Sequence, residues 1–255
     1  MSRIITQIYE VQTPAEAEQL IALGVDHIGG VVTSIEDWKI QSLRETMQCI
    51  DAATAKSSLI PLFSDIRMIC RMLEYYQPDM VHFCEDLMLQ RRVHGSCNHL
   101  IEIQKEIKKR FPEIKIMRSI PIAQPGMSRP VPTGELAILF EPFSDYFLTD
   151  TIISKNGVVS SQDQPVKGFV GITGLTCDWK MAAELVESSK IPVILAGGLA
   201  PDNVYESILM VRPAGVDSCT KTNAVDGNGE SIRFRKDLEK VKQFVAEARR
   251  AGRVL

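Results

Sequence analysis

The chain has 255 residues, 45% of them hydrophobic and 24% charged, with a formal net charge of −3. That length supports a sizeable core, and the 16 glycines and 13 prolines are too scattered for a fibrous or low-complexity class. The near-neutral charge gives no reason to expect nucleic acid, and the apolar runs are of strand length, short of the ~20 residues of a membrane span.

At the N-terminus, Met1-Ser2-Arg3 runs straight into strand-like Ile4-Ile5, without the apolar stretch and cleavage site of a signal peptide. A cytoplasmic protein is expected, and in that compartment Cys49, Cys70, Cys84, Cys97, Cys177 and Cys219 are reduced, mostly buried thiols. In chain order, strands are predicted at Ile4–Tyr9, His27–Val32, Leu59–Phe63, Met80–Cys84, Lys115–Ile120, Tyr146–Asp150, Pro192–Ala196 and Gly215–Cys219. Helical patterns intervene, among them Pro14–Leu23, Asp65–Tyr76, Glu102–Arg110, Trp179–Ser188 and Asp202–Val211, and a last helix covers about Arg235–Arg250. Runs such as Pro192–Ala196 are continuously apolar, as parallel strands covered on both faces must be. Leu23–Ile28 and Pro213–Asp217 both read as helix end, glycine stop and strand.

Eight strand–helix units in 255 residues repeat every ~32 residues, close to what a βαβ unit requires. An open doubly wound sheet would more often carry a glycine-rich turn after its first strand, where this chain has Tyr9-Glu10-Val11-Gln12. The expected architecture is one α/β domain over residues 1–255, a TIM-type (β/α)8 barrel. The cations Arg235, Lys236, Lys240, Lys242, Arg249, Arg250 and Arg253 are expected on a solvated terminal helix, the late ones favouring the negative end of its dipole.

In such barrels function concentrates in the loops after the strands. After the sixth strand, Gly171-Ile172-Thr173-Gly174 lets backbone curl around an anion, and the following helix can offer free N–H groups. The alternative is a tight loop with Asp178 capping that helix. After the seventh strand, Ala196-Gly197-Gly198-Leu199 followed by Pro201 is either a second close-approach anion site or a simple turn. Two such loops in consecutive units favour a shared phosphate pocket, to which Thr220, Lys221 and Thr222 add hydroxyls and a cation. His27, His82, His94 and His99 show no metal-ligand spacing with carboxylates, so no metal or other cofactor is expected.

These segments carry a resemblance. Gly171, Thr173-Gly174 and Asp178-Trp179, then Pro192–Leu199 with Pro201 and Asn203-Val204, then Gly215-Val216-Asp217, Lys236-Asp237 and Lys240-Val241, resemble the phosphoribosylanthranilate isomerase family. The likeness is strong over about residues 146–246; before that it rests on Ala17, Gly24-Val25-Asp26, Ile28-Gly29 and Asp79-Met80-Val81. It implies a barrel of the ribulose-phosphate-binding type, an Amadori rearrangement of a phosphoribosylamine in tryptophan biosynthesis, and a phosphate held after strands six to eight. The expected partner is a phosphorylated small molecule, with no nucleic acid or membrane, and the expected assembly is a monomer or homodimer.

The family's acid is an aspartate ending strand six, which here is Asp150. Its base is a cysteine in a K-x-C-G pattern ending strand one; this chain reads Gln7-Ile8-Tyr9-Glu10, so a phenol with an ordinary pKa of about 10 replaces a thiol near 8.5. Tyr9, Glu10 and Cys84 are the candidate substitutes, although Cys84 and His82 also suit the core or a supporting role. The fourth-strand motif Q-L-H-G has become His82-Phe83-Cys84-Glu85. The S-P-R motif, whose arginine receives the anthranilate carboxylate, has become Thr33-Ser34-Ile35-Glu36-Asp37, and S-G-V-E has become Thr220-Lys221-Thr222-Asn223. His82 and Arg118 complete the expected substrate contacts beside Gly171, Thr173, Gly174, Ala196, Gly197, Gly198, Thr220 and Lys221. The loop Pro121–Gly134, with four prolines and Arg129, is either a semi-rigid lid or a surface excursion. An isomerase with a relocated base, a diverged enzyme acting on another phosphorylated metabolite, and a non-catalytic phosphate-ligand-binding protein all stay open.

Overall fold

A computed structural model describes residues 3–127, 131–155, 158–159 and 166–255. Eight parallel strands close into a barrel in the order β1-β10-β9-β6-β5-β4-β3-β2. Along the chain these are β1 (Ile5–Ile8), β2 (His27–Val32), β3 (Lys56–Pro61), β4 (Met80–Phe83), β5 (Lys115–Ile122), β6 (Tyr146–Thr151), β9 (Val193–Leu195) and β10 (Gly215–Ser218). Two hairpins lie outside the barrel: β7 (Ser154–Lys155) with β8 (Val158–Val159), and β11 (Asn223–Val225) with β12 (Ser231–Lys236). The helices are α1 (Pro14–Ala22), α2 (Gln41–Asp51), α3 (Ile66–Tyr76), α4 (Leu87–His94), α5 (Asn98–Arg110), α6 (Thr133–Phe140), α7 (Trp179–Ser188), α8 (Val204–Val211) and α9 (Leu238–Gly252).

Helix starts follow side-chain capping. Thr13, Asp65, Asp86, Asp178 and Asp237 each accept from backbone N–H groups of the first turn that would otherwise lack a partner. The last case moves a predicted boundary: Asp237 caps α9, so the preceding Ser231–Lys236 is strand rather than helix. Likewise α8 stops at Arg212, itself left-handed at φ 54°. Gly215 is therefore not the stop but the first residue of β10, where a β-carbon would press on Ile5 and Ile194.

Two of the terminal cations differ from a solvated face, while Arg235, Lys242, Arg250 and Arg253 are exposed as expected. Lys236 is buried, donating to the Cys219 carbonyl at 3.0 Å and to Asn223 Oδ1 at 2.5 Å. Arg249 binds Asp26 at 2.6 Å and the carbonyls of Ile4 and Gly24, tying α9 to the floor of the barrel. That floor repeats one device: Asp26, Asp79 and Asp145 each precede an even strand and accept from the backbone N–H of Thr6, Ser57 and Ile116 on the strand before it.

Side chains alternate across the wall. Outward residues join the main apolar layer beneath the helices, including Ile8, Ile28, Leu59, Val81, Ile116, Phe147 and Val216. Inward residues fill the barrel with Met80, Met117, Leu148, Ile194, Ala196 and the ring of Tyr9. That alternation removes Arg118 from the substrate contacts: it points outward and is fully buried, donating to Glu85 at 2.5 Å and Gln104 at 2.7 Å between the rings of Phe83 and Phe140. Arg118→Leu strands a buried carboxylate and is expected to lower unfolding free energy by roughly 3–5 kcal/mol, while adding Glu85→Gln restores much of it. Urea unfolding of the single and double variants reads this directly.

Candidate active site

Two connected hollows occupy the C-terminal mouth. The larger, about 560 Å³, is mainly apolar, with Val31, Ile60, Leu62, Leu148 and Phe169 on its walls. The smaller, about 360 Å³, is formed by Thr173, Gly174, Gly197, Gly198, Thr220 and Lys221. Asp150, Ile172, Asp217 and Cys219 line both.

The smaller hollow brings together the loop residues expected to hold an anion. The backbone N–H groups of Gly174, Gly197 and Gly198 have no acceptor among the described residues, so they are available to an anion. Gly198 is left-handed at φ 61°, and a β-carbon there would lie 2.7 Å from the backbone of Leu175 and Thr176. The two loops can interlock only because that atom is missing. Asn203 fixes the turn, accepting from the Ala200 N–H at 2.8 Å and donating to the Gly198 carbonyl at 3.1 Å. The helix contribution expected after Gly174 is absent: Asp178 consumes the first N–H groups of α7, the capping alternative. Loop amides, the Thr220 hydroxyl and the exposed Lys221 ammonium are the donors here.

Asp150 projects inward from β6. Desolvation raises its carboxyl from 3.8 to about 7 against the opposing hydrogen bond from Ser119, whose Oγ donates to Oδ2 at 2.6 Å. A chain of hydrogen bonds lies behind Ser119. His82 Nε2 is 2.8 Å from Ser119 Oγ, His82 Nδ1 is 2.9 Å from the Tyr9 hydroxyl, and that hydroxyl is 2.6 Å from Ser58 Oγ. Burial, helped by the Arg118 charge, lowers His82 to about 3, so the ring is neutral and has one N–H. Ser119 spends its proton on the carboxylate and must accept from Nε2–H; Nδ1 then accepts from Tyr9, which accepts from Ser58. Every donor is thus directed toward Asp150.

Asp217 was not singled out as a site residue, although an acid inside an apolar strand is a visible signal. Burial again raises its carboxyl to about 7, opposed by the Gln7 amide, which donates to Oδ1 at 3.2 Å. Gln7 Oε1 lies 3.2 Å from His27 Nδ1, and burial lowers that imidazole to about 4. The register places both acids at one level. Leu148 and Gly215 both pair with Ile194, so two residues further along Asp150, Ala196 and Asp217 sit side by side on consecutive strands. At about 4.8 Å per strand step, the two Cα atoms are roughly 10 Å apart or less on the curved wall.

The candidates for the absent cysteine fare differently. Tyr9 is buried with its ring against Gly29, where a β-carbon would collide with it. Burial pushes its phenol well above 10, and the Cys84 thiol well above 9. Glu10 takes the left-handed backbone (φ 64°) that a glycine would adopt freely. Both of its oxygens are engaged, Oε1 by Arg233 at 2.5 Å and Oε2 by Asn223 at 3.4 Å. Glu36 and Asp37 are exposed and line neither hollow. Nor does the described part of Pro121–Gly134, and Arg129 lies outside the described residues; its Ala123 and Val131 pack with Ile152 instead. The roof is the segment 166–172, docked on the end of β4 through Val170 N–H to the Cys84 carbonyl and Asp86 N–H to the Gly168 carbonyl.

A carboxyl raised from 3.8 to about 7 contributes stability that is complete below the unfolded value and lost as pH rises through 7. Asp150→Asn should therefore be more stable than the parent at pH 8, by about 1–3 kcal/mol of unfolding free energy in urea titration, and show no such gain at pH 4. Gly198→Ala should weaken binding of inorganic phosphate at least tenfold by calorimetry, because the added carbon pushes the two loops apart.

The comparisons with known proteins agree with this geometry. A family model, N-(5'-phosphoribosyl)anthranilate (PRA) isomerase, matches residues 162–247, the stretch that carries the anion cradle. An N-(5'-phosphoribosyl)anthranilate isomerase from Methanocella arvoryzae is 28% identical over 252 residues, 98% of this chain and 99% of that protein. One from Haloferax volcanii is 43% identical over 89 residues, 35% of this chain and 37% of that protein. Among solved structures, phosphoribosyl anthranilate isomerase from Thermotoga maritima superposes with a TM-score of 0.66 at 20% identity, covering 96% of this chain and 98% of its own. The chain is thus similar to phosphoribosylanthranilate isomerases in sequence and fold, with Tyr9 standing where the resemblance implies a cysteine.

Proposed function

We propose that this chain catalyses the Amadori rearrangement of N-(5'-phosphoribosyl)anthranilate. The observation that carries this is the adjacency of the anion cradle to Asp150, a buried carboxyl poised near neutrality. The 5'-phosphate is held by the amides of Gly174, Gly197 and Gly198 with Thr220 and Lys221, and the ribose lies over Asp150. Protonated Asp150 gives its proton to the ring oxygen as the C1'–O4' bond breaks, leaving an iminium at C1'. Loss of the C2' proton then forms the enolamine, which tautomerises to the ketose. With Oδ2 held by Ser119, Oδ1 is the donating atom, and the aryl group occupies the apolar hollow.

One observation favours a second substrate for the same reaction. Among the described residues no cation lines the apolar hollow, and the Glu10 carboxylate is part of its wall. A phosphoribosylamine whose substituent has no carboxylate meets no repulsion there.

Fluorescence-monitored turnover of N-(5'-phosphoribosyl)anthranilate tests the first reading, and N-(5'-phosphoribosyl)aniline tests the second. Activity is expected with at least one, falling 10²–10⁴-fold in kcat for Asp150→Asn with little change in KM. An inactive parent that still binds ribose 5-phosphate would leave a diverged enzyme acting on another phosphorylated metabolite or a binding protein.

A further inference from the structure

The isomerisation proposed above needs a base, and none of the substitutes expected from sequence is free to act. Tyr9 already donates its proton to His82, and both Glu10 oxygens are occupied. Cys84 is buried, with its thiol proton held more tightly than in water. We infer that Asp217 is the base, facing Asp150 across Ala196 at one level of the barrel and removing the C2' proton; this rests on the isomerase reading.

Three observations carry it. Asp217 lines both hollows, so it borders the junction where the ribose must lie between a bound phosphate and an aryl group. One of its oxygens is held from below by Gln7, itself oriented by His27, and the other has no hydrogen-bond partner among the described residues, which leaves it to a ligand. Asp150 has the same construction, with Ser119 below Oδ2 and no hydrogen-bond partner on Oδ1 among the described residues. The floor of the barrel thus supplies each carboxyl with a single donor.

The proton account closes. Asp150–H protonates O4' and becomes a carboxylate as C1'–O4' breaks. Asp217 carboxylate takes the C2' proton, and the C2'–H electron pair becomes the C1'=C2' bond, neutralising the iminium nitrogen. Ketonisation moves the enol O2' proton to solvent or Asp150 while C1' gains one, so the sum is an isomerisation. The paired acids favour the state in which one holds the proton and the other does not, because each negative charge raises the cost of the second.

The test compares the full-length parent with Asp217→Asn, Asp217→Glu and Asp150→Asn, using the two phosphoribosylamines named above and a C2'-deuterated form of each. Asp217→Asn is expected to lose 10²–10⁴-fold in kcat, to keep its affinity for ribose 5-phosphate within about threefold, and to lose the acid limb of the pH profile. Asp150→Asn should lose the alkaline limb instead, and Asp217→Glu should regain part of the rate together with a deuterium isotope effect. A parent that turns over neither amine overturns the isomerase reading and this inference with it. An active parent whose Asp217→Asn variant keeps more than a tenth of kcat, or loses ribose 5-phosphate affinity in proportion to kcat, overturns the inference alone.

Discussion

Withdrawal of carboxyl groups from water at the mouth is the constraint on which the site depends. Asp150 and Asp217 are held at about 7 chiefly by desolvation, with neighbouring donors only partly opposing it. A buried carboxylate cannot persist without a partner, and each acid receives one donor, Ser119 or Gln7, supported by a histidine that burial keeps neutral. A charged imidazole beneath either acid would pull its carboxyl back toward ordinary values. The low dielectric that raises the acids therefore also silences the bases below them.

The loops act within that frame. The proposed anion cradle is made from backbone amides that have no acceptor among the described residues, and it adjoins the same two acids. The roof segment 166–172 is docked to β4 and lies over Asp150, where a β-carbon on Gly171 would sit 3.1 Å from Oδ1. Ile172 in this roof has φ 61°, an unfavourable conformation for a β-branched residue. Strain of roughly 1–3 kcal/mol is stored where the two hollows meet.

Much of this was legible from sequence because parallel strands and phosphate loops leave local marks. Continuous apolar runs such as Val193–Leu195 and the paired glycines after them report burial and close approach without reference to distant residues. Strand ends moved by one to three residues, most at β3, where polar Lys56-Ser57-Ser58 extends the strand because Asp79 binds Lys56 and Ser57. What sequence could not supply was direction. Arg118 and Ser119 are neighbours on β5, yet one is sealed beneath the helices and the other supports Asp150. Two terminal cations left the solvated face for a related reason: helical spacing indicates a face, whereas Lys236 is recruited by Cys219 and Asn223 and Arg249 by groups more than 200 residues away in the chain.

The contact between Tyr9 and Gly29 bears on how such a site can change. The phenol fills space that Gly29 leaves vacant, and its hydroxyl is one link in the chain that ends on Asp150. Replacing Tyr9 by cysteine would empty that volume, at a cost of the order of 3 kcal/mol for a large-to-small change in a core. It would also deprive His82 of its donor. A side chain at position 29, in turn, cannot be accommodated while the tyrosine remains. Tyr9 therefore serves packing and the hydrogen-bond chain together, and a change at that one position disturbs both.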